Sequence, residues 1–175
     1  IHYCIYGGAV SETQNDNTAI LGFNGRQDMN YTDLLEYAMQ QQQNTHHFQI
    51  EYNNKHAWAD TTTAKDAFRW LLFDKMRNKE IPTNKKIIRD AYNSYQKEVK
   101  KAFDGKQYIA AYQACAKAIY LLKSLTDLNY FIHQEEEISK LALFKVEVEK
   151  WQASIHQEMQ LKAQYNAYYF SKDTL

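Results

Sequence analysis

From position 61 onward, hydrophobic and polar residues alternate with a helical period. Ala64, Ala67, Phe68, Leu71, Leu72 and Met76 recur every three or four residues, which places them on one face of a helix. Thr61 to Thr63 supply capping hydroxyls at its start, and Pro82 closes it, because proline drives the preceding residue out of the helical region. Thr83 is expected to cap the next helix, whose stripe is Ile87, Ile88, Ala91, Tyr92, Tyr95, Val99, Ala102 and Phe103, with Gly105 as a left-handed terminator. A further helix from Lys106 to about Ser124 carries Tyr108, Ile109, Ala111, Tyr112, Cys115, Ala116, Ile119 and Leu122. Its alanines let neighbours approach closely, so it is expected to be the central helix.

After Thr126 the pattern becomes longer. Ile138, Leu141, Phe144, Val148, Trp151, Ile155 and Met159 step by three or four, the rhythm of a helix packed lengthwise against a partner. Unbroken from Thr126 to Phe170 it would span about 67 Å, more than a small domain's diameter. It is therefore expected to break near Gln134 or to protrude.

The first third is less regular. A short helix is expected from Thr32, with Leu34, Leu35, Ala38 and Met39 on one face and the Gln40–Gln43 run as its solvated end. A polar loop over 44–60 follows. Residues 1–31 combine four glycines with Asn15, Asp16, Asn17 and Asn24, and read as an irregular arm around two short apolar pieces, Ile5-Tyr6 and Ile20-Leu21. The expected fold class is all-α: one domain, a helical bundle of about five helices with a loop-rich N-terminal arm and a long C-terminal helix.

Composition agrees. The chain has 175 residues, enough for one domain, and a single proline with five glycines disfavours a turn-rich sandwich or barrel. Basic and acidic residues both number 21, so no net charge draws the molecule toward nucleic acid or an anionic membrane. The patch of Lys97, Lys100, Lys101 and Lys106 is interrupted by Glu98 and Asp104 and does not change that. No apolar run approaches the roughly 18 residues of a membrane span. The chain opens Ile1-His2-Tyr3-Cys4 without an initiator methionine, which reads as an exported mature form that has lost its leader. Cys4 and Cys115 are then either a disulfide closing a long loop or two buried thiols.

Candidate chemistry is sparse. His46, His47, Glu51 and His56 crowd one loop, and imidazole with carboxylate is the donor set that zinc accepts. Asp127 and His133 form a second group just beyond the central helix. No phosphate-cradling glycine loop, Cys-x2-Cys pair, nucleophile elbow or His-Glu-x2-His occurs.

The segment from Gly105 and Tyr108 through Ala111, Ala118, Ile119 and Leu122 to Asp127 and His133 resembles the central helix of the zinc-dependent phospholipase C and single-strand-specific nuclease superfamily. Thr45-His46-His47-Phe48 is similar to the family's His-Phe pair, and Gly8 to Glu12 stand where its acidic ligand loop would be. The resemblance implies zinc-activated water attacking a phosphodiester. The chain departs from the pattern where the first helical histidine falls on Lys123 or, with the helix aligned without a gap from Tyr108, where the His and Asp positions fall on Tyr120 and Ser124; the later His-x3-Glu pair has only Lys145 and Glu149, and Ile1 replaces an N-terminal tryptophan. One zinc, held by His46 or His47 with Glu12, Asp127 and His133, is what those residues leave.

The functional expectation is a helical assembly or binding module, a catalytically decayed relative of the zinc phosphodiesterases. The alternative is a metal-dependent phosphoester hydrolase with a reduced site. Tyr165, Tyr168, Tyr169 and Phe170 need a surface to dock on, so the expected partner is a protein or a second copy, met through Trp151, Ile155, Tyr168 and Phe170 of the last helix.

Overall fold

The structure, a computed structural model, describes residues 2–7, 18–28, 30–40, 47–52, 55 and 60–170. Three strands and six helices follow one another among them: β1 (His2–Gly7), β2 (Thr18–Gly25), α1 (Tyr31–Gln40), β3 (His47–Tyr52), α2 (Thr61–Arg77), α3 (Lys85–Asp104), α4 (Tyr108–Leu122), α5 (Asn129–Lys140) and α6 (Ala142–Phe170).

The protein is largely helical but not all-α. β1, β2 and β3 form one parallel sheet in that order, with Cys4 opposite Ile20 and Phe23 opposite Ile50. The irregular arm therefore contains two strands, and the polar loop over 44–60 contains a third. The reason lies in β2, whose residues 19–25 are all buried. A strand covered on both faces shows an unbroken apolar run with no period-2 alternation, and this one is short and contains Gly22, so it mimics a turn. Ala19, Leu21, Phe23 and Ile50 join the helical core, while the Asn24 amide donates to the Tyr31 carbonyl at 3.1 Å and ties the sheet to the start of α1.

Six helices, not about five, occur among the described residues because the C-terminal segment breaks. The break is at Leu141, which adopts an extended conformation (φ −66°, ψ 131°), seven residues beyond Gln134. The caps also shift slightly. Asp60 accepts the Thr63 N–H at 2.7 Å to start α2, and Asn84, not Thr83, accepts from Lys86 and Ile87 to start α3. Gly105 keeps a negative φ of −77°, and the left-handed residue after α3 is Lys106 at φ 57°.

One buried cluster joins sheet and helices, with α4 at its centre. Ala111, Cys115, Ala118, Leu121 and Leu122 are each 0% exposed. α3 and α5 lie chiefly along α4, whose alanines allow the close approach. Trp70 and Phe73 of α2, Val99 of α3 and Phe131 and Ile138 of α5 fill the remaining volume. α6 has 29 residues, about 43 Å at 1.5 Å per residue. The Glu147 carboxylate of its first half accepts the Ile109 N–H of α4 at 3.0 Å, a cap that α4's own Gln107 does not provide.

Candidate functional site

The proposed zinc ligands separate into described and undescribed residues. Glu12 and His46 lie outside the described ones. His47 opens β3, half-buried, its ring edge-on to Tyr37 with centroids 5.7 Å apart. Asp127 precedes α5, where its two oxygens accept the Asn129 N–H at 2.7 Å and the Asn129 side-chain amide at 3.2 Å. His133 is exposed on α5. Among the described residues, no three His, Cys, Asp or Glu side chains group closely enough to hold a metal ion. Cys115 is a free, buried thiol, and burial, aided by the charge of Glu135, pushes its pKa up to about 12. The side chain of Cys4 lies outside the described residues.

Burial holds the His47 pKa below its ordinary value, because the imidazolium loses hydration on folding. The folded state then binds fewer protons than the unfolded one. Stability is expected to fall as pH drops below the unfolded value of about 6.5. Chemical denaturation of the wild type and His47→Gln at pH 7.5 and 5.5 checks this. The variant should lose less stability between the two pH values, and equal losses would remove His47 as the cause.

Of the residues assigned to a partner surface, Trp151 and Ile155 are half-buried against the chain itself. The Trp151 indole and the Glu51 carboxylate both lie close enough to the Tyr31 hydroxyl to affect its ionisation, and burial with Glu51 raises its pKa. Lys162 pairs with Asp33 of α1 at 2.5 Å. The inward side of α6 is thus strapped to α4 and α1. Tyr168 is 58% exposed, and the Phe170 side chain lies outside the described residues.

The most built polar constellation was not among the sequence candidates. Asp66 of α2, itself 2% exposed, accepts from the Tyr95 hydroxyl at 2.8 Å, Lys117 Nζ at 2.9 Å and Arg69 Nη1 at 3.2 Å. Lys117 also donates to both oxygens of Glu98 at 2.8 Å. Arg69 and Lys117 stand 5.4 and 5.3 Å from the centroid of the Tyr95 ring. Burial alone would lower the Lys117 pKa, but Glu98 and Asp66 more than offset it and hold the ammonium charged. Burial and then Asp66 raise that of Tyr95, which stays a neutral donor. The cluster ties α2, α3 and α4 together. One sequence signal was available: Lys117 is the single charged residue in the fifteen of α4.

Two cavities open beside this framework. The first, about 300 Å³, lies between β3 and α4. Its charged groups are mutually satisfied: Arg26 pairs with Glu51 at 3.1 Å and with Gln113, and Gln113 donates to Glu51 at 3.0 Å. The second, about 470 Å³, lies between α3 and the α4–α5 turn and is lined by Lys85, Ile88, Arg89, Tyr92, Leu125, Thr126 and Asp127.

Exposed large apolar side chains concentrate on α6, where Leu143, Val146, Met159, Leu161, Tyr165, Tyr168 and Tyr169 are 43–59% accessible. No helix among the described residues is long and apolar enough to cross a membrane. No protein-family model matches the chain, and no curated protein and no solved structure matches it either.

Proposed function

We propose that this chain is an assembly or binding module that works through the last turns of α6. The observation that carries the reading is the run of Leu161, Tyr165, Tyr168 and Tyr169, which stay 54–59% exposed although the same helix is tied to the body through Glu147 and Lys162. Spaced by three and four residues, Leu161, Tyr165 and Tyr168 share one face, and the Tyr165 and Tyr169 rings lie 4.5 Å apart. Tyrosine is a residue type from which protein interfaces draw much of their energy: a large rigid ring with few torsions to immobilise and a hydroxyl that tolerates the wet rim. The occupant proposed is a second copy of this chain, because a formal charge of zero offers no long-range repulsion between copies.

No observation favours the zinc-hydrolase reading over this one, since the described ligands of that site do not group. Sedimentation equilibrium over a wide concentration range tests the proposal. The wild type is expected to dimerise, and the triple variant Leu161→Ser, Tyr165→Ser, Tyr168→Ser to be monomeric, with the melting temperature the wild type has when diluted to a monomer. A wild type that stays monomeric at every accessible concentration overturns self-association.

A further inference from the structure

We propose that the cavity between α3 and the α4–α5 turn binds a small organic anion bearing a flat apolar group. The inference rests on charge left unbalanced. Lys85 and Arg89 sit four residues apart on one face of α3, so their like charges repel across one turn. Neither side chain forms an ion pair or hydrogen bond among the described residues, whereas Lys86 beside them pairs with Asp90 at 3.3 Å. The acid in the cavity lining, Asp127, spends both oxygens on Asn129. Two cations thus face the space against one carboxylate that is already engaged.

Apart from Thr126, the remaining walls are apolar. Ile88 is 5% exposed, Leu125 is half-buried, and the Tyr92 ring is braced edge-on by Phe131 at a centroid distance of 4.9 Å. Burial first, and then Asp127, raises the Tyr92 pKa, so its hydroxyl remains protonated and able to donate to an anion. At about 470 Å³ the space accepts a ligand of one ring and one anionic group. Guanidinium takes carboxylate or phosphate oxygens in a two-pronged contact, and lysine adds a point charge. The arrangement therefore suits an aryl or alkyl carboxylate or phosphate monoester, with the apolar part against Tyr92 and Leu125. This site is separate from the α6 surface and does not depend on it.

Titration of the labelled protein with phenyl phosphate, followed by amide resonances, tests the proposal. Saturable shifts are expected at residues 85–92 and 125–127. Lys85→Ala with Arg89→Gln should weaken binding about tenfold or more at unchanged melting temperature, since both side chains are exposed. Benzoate in place of phenyl phosphate tells whether carboxylate or phosphate is preferred, and binding of either supports the site. Inorganic phosphate should bind more weakly and neutral benzyl alcohol not at all. Absence of saturable shifts with both organic anions, or affinity unchanged in the double variant, overturns the proposal. Inorganic phosphate binding as tightly as phenyl phosphate overturns the apolar part of it.

Discussion

Replacement of Asp66 by alanine is expected to lower the unfolding free energy by about 3–5 kcal/mol, among the largest effects of any single substitution here. The carboxylate accepts three hydrogen bonds while almost fully buried, and two of the donors, Lys117 and Arg69, are cations that share its surroundings. Without it, Lys117 keeps only Glu98, whose side chain is 45% exposed, and the Tyr95 hydroxyl loses its acceptor. Removing one member of a buried charge set leaves the others desolvated and uncompensated, a larger penalty than the set contributes when intact. Denaturant titration measures the loss. The double variant Asp66→Ala, Lys117→Met should recover a substantial part of it, because the orphaned ammonium is removed with its partner. A double variant no more stable than Asp66→Ala would show that Lys117 is not the group stranded.

Trp70→Ala should lower stability by a similar amount, about 3–5 kcal/mol, for a different reason. The Trp70 side chain is 1% exposed, and its indole lies within hydrogen-bonding reach of the Tyr120 hydroxyl. Tyr120 in turn stacks on Phe48 of β3 with ring centroids 4.2 Å apart and planes 10° from parallel. Truncation at Trp70 therefore opens a cavity in the core and also loosens the contact that holds the sheet against α4. For a chain of this size the midpoint of thermal unfolding should fall by about 10 °C or more. Trp70→Phe, which keeps most of the ring volume, should lose less. A melting temperature for Trp70→Ala within about 3 °C of the wild type would contradict the packing described.

Much of the helical part was legible because its signals are local. The stripe of Ile88, Ala91, Tyr95, Val99 and Ala102 has the period of α3, and these residues are the ones buried. α4 was legible as the central helix from its alanines. The limits of these elements moved by one or two residues because several capping groups compete. Asn84 sits beside Thr83, and Lys106 takes the left-handed turn that Gly105 could have taken. The sheet was not legible: Ile20-Leu21 and Phe48 to Ile50 gain their meaning from pairing with each other and from the helices that cover them.

The candidate sites divide in the same way. Asp127 was singled out as a zinc ligand and instead lines a cavity whose cations, Lys85 and Arg89, stand about forty residues earlier. Trp151 and Tyr168 looked alike as exposed aromatics of one helix, yet the first turns toward α1 and the second faces solvent.

What the chain's order of residues determined alone was the presence and approximate span of the helices from position 61, since period, caps and breakers act within a few neighbours. Tertiary structure decided the parallel pairing of three short strands, the meeting of Asp66, Tyr95 and Lys117, and which side chains of α6 remain uncovered. Each of these joins residues tens of positions apart, where the energy comes from burial and charge compensation that exist only once the elements have packed.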